Sequence, residues 1–273
     1  MMAFDAPKQV VEFFDALADR YDQAVFRFYP FSADAIVPLL RTAPGQKILD
    51  VGTGTGAAAI ALAQTMRHQG RVIAIDLSEV MLAKAMENTG KMALSNVDFF
   101  AMDAQSLEFK SDYFDHVVSA FSLYYMPDML TALQGWKRVT KPGGKILCTG
   151  LACDVFGALL DDLRVALPQF TTVDARPLLA SERLCSSEQW LKLMEQAQLQ
   201  RTAMQVGQFG YHLSGPEQWW DVLWGSDVGR ILQSLDPLVL AQLKTYHLGQ
   251  VAKRIKPEGL WLDVQVVFCM GEV

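Results

Sequence analysis

Little in this chain of 273 residues points to metal, nucleic acid or membrane. Only four cysteines occur, Cys148, Cys153, Cys185 and Cys269. Their separations match no metal-ligand pattern, so no metal site is expected, and the thiols read as the reduced cysteines of a cytoplasmic protein. No segment approaches the ~18 uninterrupted apolar residues of a membrane helix, so no membrane span is expected. Lys and Arg number 24 against 30 Asp and Glu, for a net charge of −6. Phosphate backbones are held mainly by Lys and Arg, so nucleic acid is not an expected partner. The start, "MMAFDAPKQVVEFFDALADRYD", is amphipathic and acidic, without the basic opening and apolar stretch of a secretion signal. Internal repeats and low-complexity linkers are missing as well.

Apolar residues make up 51% of the chain, enough for a sizeable core, and they fall into a rhythm. Helical spacing marks residues 7–20 and again "FSADAIVPLLRTAPG", stopped by Pro44 and Gly45. Strand, turn and helix then repeat. "KILDVG", "RVIAIDLS", "NVDFFAMDA", "FDHVVSAFSLYY" and "GGKILCTG" carry five strands. "TGAAAIALAQTM", "SEVMLAKAMENTGKM" and "PDMLTALQGWKRV" carry the helices between them. Alternation of this kind implies crossover connections and a parallel sheet covered on both faces. After Gly150 the rhythm loosens. "SSEQWLKLMEQAQL" reads as a helix with a capping-box start at Ser186 and Gln189, "RTAMQVGQF" as a strand and "LWLDVQVVFCMG" as a final strand. We read one domain over 1–273: N-terminal helices at 1–44, a core at 45–150, and remaining strands at 151–273 with helical cover at about 153–185 and 214–256.

The segment "ILDVGTGTGAAAIALAQ" sets the chemistry. A strand that turns sharply into a helix at the carboxyl edge of a parallel sheet needs glycine for unusual backbone angles and for close approach to a ligand. "GTGTGA" also satisfies the loose dinucleotide pattern G-x-G-x-x-A, so a nicotinamide oxidoreductase is one alternative. Asp76, twenty residues after Gly56, would grip two ribose hydroxyls of either cofactor. Asp50, directly before the turn, would repel a pyrophosphate but help hold a cationic amino group. Asp103 ends the third strand, where an acid accepts from an adenine amino group. Together they describe a cradle for S-adenosylmethionine.

On these residues the chain resembles the class I S-adenosylmethionine-dependent methyltransferases. "LDVGTGTG" is similar to that family's first motif, "AIDLSEVMLAKA" to the ribose-binding segment, "AMDA" to the adenine-binding motif and "VTKPGGKIL" to the signature before the fifth strand. The likeness spans roughly residues 8 to 150, and "FDALADRYD" resembles the small-molecule subgroup that includes ubiquinone and menaquinone biosynthesis. The resemblance implies an α/β, Rossmann-like, doubly wound, seven-stranded, mostly parallel sheet with its last strand antiparallel and with helical cover insertions. It implies that Gly52, Gly54 and Gly56 form the turn, that Asp50 supports the methionine end, and that Asp76 binds the ribose with Leu77 and Met81 near the adenine. Asp103 and Ala104 would meet the adenine, Ser119, Ala120 and Phe121 would line the methionine portion, and Tyr21 would close over the cofactor.

An in-line methyl transfer needs a positioned acceptor, excluded water and sometimes a base. Of the four histidines, His68 and His116 fall at the wrong edge of the sheet and His247 in the helical cover. His212, after the sixth strand, is the candidate base. Tyr124 and Tyr125 follow the fourth strand and could touch the acceptor. Trp219, Trp220 and Trp224 could wall a pocket for a flat or greasy substrate. The expected function is methyl transfer to an apolar or aromatic small molecule, at carbon or oxygen rather than nitrogen. The alternatives are C-methylation of a quinone precursor, a cofactor-binding module without turnover, and the oxidoreductase.

Overall fold

The computed structural model describes residues 7–172 and 177–273. Helices α1 (Pro7–Tyr21) and α2 (Phe28–Leu40) lead into the alternating core: β1 (Lys47–Val51), α3 (Ala57–Met66), β2 (Arg71–Asp76), α4 (Glu79–Lys91), β3 (Val97–Ala101), β4 (Phe114–Ala120), α5 (Met129–Val139) and β5 (Thr140–Leu151). The second half holds α6 (Gly157–Phe170), α7 (Ser187–Gln196), β6 (Gln200–Gln208), β7 (Tyr211–Leu213), α8 (Pro216–Trp224), α9 (Val228–Gln233), α10 (Pro237–Ala252), β8 (Leu260–Leu262) and β9 (Gln265–Glu272).

Seven strands form one sheet in the order β3-β2-β1-β4-β5-β9-β6, and only β9 runs against its neighbours. This is the doubly wound, mostly parallel sheet expected. Central strands β1 and β2 are buried along most of their length because helices cover both faces. The strand order reverses between β1 and β4, which opens a crevice at their carboxyl ends. Local chemistry fixes the helix starts: the Ser78 hydroxyl accepts from the Met81 N–H at the head of α4, and Ser186 and Gln189 form the capping box that starts α7. Pro127 lies just ahead of α5, whose cap is Asp128, accepting from the Thr131 N–H.

Two expectations need correction. "LWLDVQVVFCMG" is not one strand. Residues 260–262 pair with β7 in a separate two-stranded ribbon, and the chain turns at Asp263 and Val264 before β9 joins the main sheet. Apolar alternation runs through the break, so the pattern cannot mark it. Nor are all four cysteines free thiols. Cys153, in the turn after β5, is disulfide-bonded to Cys185, just before α7, with Cα atoms 4.8 Å apart. Loop cysteines 32 residues apart leave no local spacing to read. Cys148 and Cys269 are buried and face each other across β5 and β9. No helix among the described residues is long and apolar enough to cross a membrane, and no cluster of three metal-ligating side chains occurs among them.

Closing a loop of 32 residues restricts the unfolded chain by about 3–4 kcal/mol. Reductant should therefore lower the urea midpoint of the wild-type protein. A C153S/C185S variant should unfold at that lower midpoint with or without reductant.

Candidate active site

The turn from β1 into α3 is built on close approach. Gly52, Gly54 and Gly56 all take positive φ, at 66°, 56° and 92°, a region side chains rarely enter. A Cβ on Gly52 would stand 2.5 Å from Cβ and Oγ of Ser122 at the end of β4. Gly56 instead lets α3 pack on α4, with Ala85 Cβ 3.2 Å from where its own would be. The interleaved threonines fasten the turn from behind. Thr53 Oγ1 donates to Asp50 Oδ2 at 2.7 Å, and Thr55 Oγ1 donates to Asp22 Oδ1 at 2.6 Å, tying the turn to the end of α1.

Around this turn lies an open cleft lined by residues of the carboxyl edge of the sheet. Gly52, Gly54, Asp76, Leu77, Met81, Asp103, Ala104, Ala120, Phe121, Tyr21 and Tyr125 all line it, together on one sheet edge. Asp76 Oδ2 accepts the Gly54 N–H at 2.8 Å and Oδ1 the Ser78 N–H at 2.9 Å, so the carboxylate is fixed at the ends of β1 and β2. Burial raises its pKa against the lowering by these N–H groups. Asp103 Oδ1 accepts the Gln105 N–H, and the Ala104 carbonyl accepts from Trp136 Nε1 at 2.9 Å, which sets the turn after β3. Phe121 sits at φ 55°, a strained conformation of the kind found at ligand sites.

Asp50 does not line the cleft. It lies fully buried behind the turn, and its Oδ1 lacks a well-formed hydrogen bond. Burial pushes its pKa up to about 6, offset in part by the Thr53 hydroxyl and the Ala59 N–H. Such an orphaned acceptor fits a cofactor that brings positive charge to this end of the cleft. Ser119 is buried too, its hydroxyl 2.6 Å from that of Ser122, and Gly56 acts on helix packing. Val10, Phe14, Met102, Gln105, Ser122, Met126 and Pro127 complete the lining without having been singled out. The heptad-like apolar face of α1 was the one signal for Val10 and Phe14.

A second cavity of about 430 Å³ adjoins the first and shares Phe14, Tyr21 and Tyr125 with it. Its wall is aromatic: Phe13, Phe26, Phe28, Tyr29, Tyr124 and Phe156. Tyr21 and Tyr29 stack at 4.7 Å, and Phe14 meets Tyr125 edge-on at 4.9 Å. Leu179, Ser181, Gly225, Ser226 and Asp227 close the far side. Arg183 braces the floor by donating to the carbonyls of Tyr124 and Met126 at 2.8 and 3.1 Å.

Four expected site residues stand elsewhere. His212 lies on the exposed face of β7, edge-on to Trp261 at 5.0 Å, and lines neither cavity. The sequence places it after the sixth strand, but the ribbon with β8 carries it away from the sheet edge. Trp219 is core, donating from Nε1 to His247 Nε2 at 2.8 Å. Burial lowers His247 to about 4, which keeps it neutral as acceptor. Trp220 packs in the same core, and Trp224 lies against Arg20. Of α8, it is the turn that follows, Gly225 to Asp227, that reaches a cavity.

An open α/β sheet, a bare glycine turn at its switch point, and acids closing β1, β2 and β3 define a class I S-adenosylmethionine-dependent methyltransferase. Within that class the sequence matches the ubiE/COQ5 methyltransferase family over residues 2–160, and the chain belongs to it. Demethylmenaquinone methyltransferase of Bacillus cereus (strain ATCC 10987 / NRS 248) is 34% identical over 145 residues, which is 52% of this chain and 61% of that relative. The alignment thus spans less than two thirds of the relative's length. Among solved structures, the YcgJ protein of Bacillus subtilis superposes with a TM-score of 0.62 at 18% identity, over 89% of this chain and 97% of that one. A SAM-dependent methyltransferase from Aquifex aeolicus gives 0.52 at 22%, over 71% and 89%. At these identities the two structures attest the fold.

Gly52→Ala should cost about 2–4 kcal/mol, from its positive φ and the overlap with Ser122. Adding Ser122→Gly should restore the overlap portion only, read as a partial recovery of the urea midpoint.

Proposed function

We propose that this chain transfers the methyl group of S-adenosylmethionine to an apolar or aromatic small molecule, at carbon or oxygen. One observation carries the reading: the cofactor-type cleft opens into an aromatic cavity through a shared boundary of Phe14, Tyr21 and Tyr125. A binding module without turnover has no use for that second chamber. The name of the Bacillus relative favours a quinone-type ring as acceptor, and the aromatic wall suits the faces of a flat ring.

When bound, S-adenosylmethionine supplies a methyl group already activated by its sulfonium charge. This chain's residues do the rest. Gly52 and Gly54 would bring backbone N–H groups to the cofactor, and the fixed Asp76 carboxylate would take the ribose hydroxyls. Asp103 and the Ala104 backbone would meet the adenine between Leu77 and Met81. Asp50, ionised behind the turn, would favour the cationic methionine end. Tyr21, Phe14 and Tyr125 would exclude water where cofactor and acceptor meet, so the barrier falls by orientation and desolvation.

Two tests follow. Asp50 has a raised pKa of about 6 in the free protein, and a cationic ligand lowers it. Protonation below pH 6 then opposes binding, so S-adenosylhomocysteine affinity should fall between pH 7 and pH 5, by up to about tenfold per unit. Asp50→Asn should bind more weakly and respond less to pH in calorimetry. Separately, the protein is incubated with methyl-labelled S-adenosylmethionine and cell extract, and the label partitioned. Counts in organic solvent are expected; counts confined to precipitated macromolecules would overturn the small-molecule reading.

A further inference from the structure

The second cavity contains a carboxylate that methyl transfer as described above does not use. Asp227, in the turn after α8, is part-buried among aromatic rings and has a partner on each oxygen. The Tyr125 hydroxyl donates to Oδ1 at 2.9 Å, and the Ala180 N–H donates to Oδ2 at 2.7 Å. Tyr125 lines both cavities, so its side chain stands at the boundary where acceptor and methyl donor would meet. A carboxylate held this way behind a hydroxyl is a proton sink with a conduit.

Resting on the methyltransferase reading and on an acceptor ring that bears an ionisable hydroxyl, we propose that Tyr125 and Asp227 remove the acceptor's proton. As the bond from the acceptor's carbon or oxygen to the methyl group forms, the sulfur–methyl bond breaks and its electron pair stays on sulfur as a neutral thioether. The acceptor's hydroxyl proton passes to Tyr125 Oη, whose own proton passes to Asp227 Oδ1 and later to solvent; where carbon is methylated, the hydrogen on that carbon then moves to the ring oxygen as the ring regains aromaticity. Tyr125 never ionises, which suits a phenol whose pKa burial has driven well above its ordinary value, with Asp227 raising it further.

The surrounding charges leave Asp227 poised near neutrality. Burial lifts it to about 6, while the Ala180 N–H, the Tyr125 hydroxyl and Arg230 pull it down and Glu182 pushes it up. Tyr124 and Tyr29 also face it and are themselves raised, chiefly by burial. A base near the working pH transfers protons efficiently. An aromatic box with an acid could also hold an ammonium ion, and an amine probe separates that case from proton removal.

The test uses the full chain, labelled S-adenosylmethionine and two probes of similar size, 1,4-naphthohydroquinone kept reduced and 1-naphthylmethylamine. With S-adenosylmethionine saturating at every pH, transfer to the hydroquinone is expected, with a rate that climbs as pH rises through about 6. Asp227→Asn should slow it by roughly 100-fold or more and erase that limb, and Tyr125→Phe should slow it less steeply. Asp227→Asn should keep wild-type affinity for S-adenosylhomocysteine. In an Asp50→Asn background, infrared titration of the cofactor-free protein should show a carboxyl signal near pH 6 that Asp227→Asn removes. Transfer to the amine alone, to neither probe, or at an undiminished rate in Asp227→Asn would overturn the proposal. Failure of the wild-type protein to bind S-adenosylhomocysteine would instead overturn the methyltransferase reading beneath it.

Discussion

The hydrogen bond from the Gly54 N–H to Asp76 Oδ2 is the joint on which the site depends. It locks the turn after β1 to the end of β2, and it can form only because Gly52 and Gly54 bend through positive φ. The same bend brings Gly52 against Ser122, so the end of β4 is positioned by contact with the same turn. Three strand ends are thereby set relative to one another without any ligand. Each constraint acts on backbone, where geometry tolerates least error, and a cofactor entering this cleft meets groups that need little rearrangement. The threonines of the motif extend the joint outward. Thr53 holds the buried Asp50, and Thr55 reaches Asp22, so α1 is anchored to the turn it covers.

This joint is also the part of the molecule most open to reading from sequence. Gly52, Gly54, Asp76, Asp103, Leu77 and Met81 lie within short segments whose spacing follows from a strand ending at one edge, and all of them line the cleft. Asp50 and Ser119 belong to the same segments but point behind the surface, since strand alternation sends neighbouring side chains to opposite faces and a motif does not say which face is wet. The parallel sheet covered on both faces was legible for a similar reason: strands alternating with helices admit few topologies.

The second half resisted because its contacts are remote in sequence and chemically ordinary. Asp227 meets Tyr125 across 102 residues and Ala180 across 47, and no local pattern marks an aspartate after a tryptophan-rich helix. The tryptophans drew attention instead, yet their bulk and the Trp219–His247 bond serve the core. His212 misled because a position after the sixth strand implies the ligand edge only if the chain stays with the sheet. The β7–β8 ribbon takes it elsewhere, and the disulfide between Cys153 and Cys185 is equally a product of the assembled fold.

The division between the two halves has a functional meaning. The family match ends at residue 160, and every residue lining the cofactor-type cleft falls inside it. The far wall of the aromatic cavity, Leu179, Ser181 and Gly225 to Asp227, falls outside. A methyl donor is the same molecule for every member of such a family, so the cradle is conveniently a matter of backbone turns and fixed acids. On the proposed reading, recognising the acceptor falls to side chains mounted on the helical segments beyond the match. Tyr125 belongs to the first half and is hydrogen-bonded to the second. It would therefore join the methyl-donor site to the far wall, and a preference among acceptors would be exerted through the space and the proton path that this one contact defines.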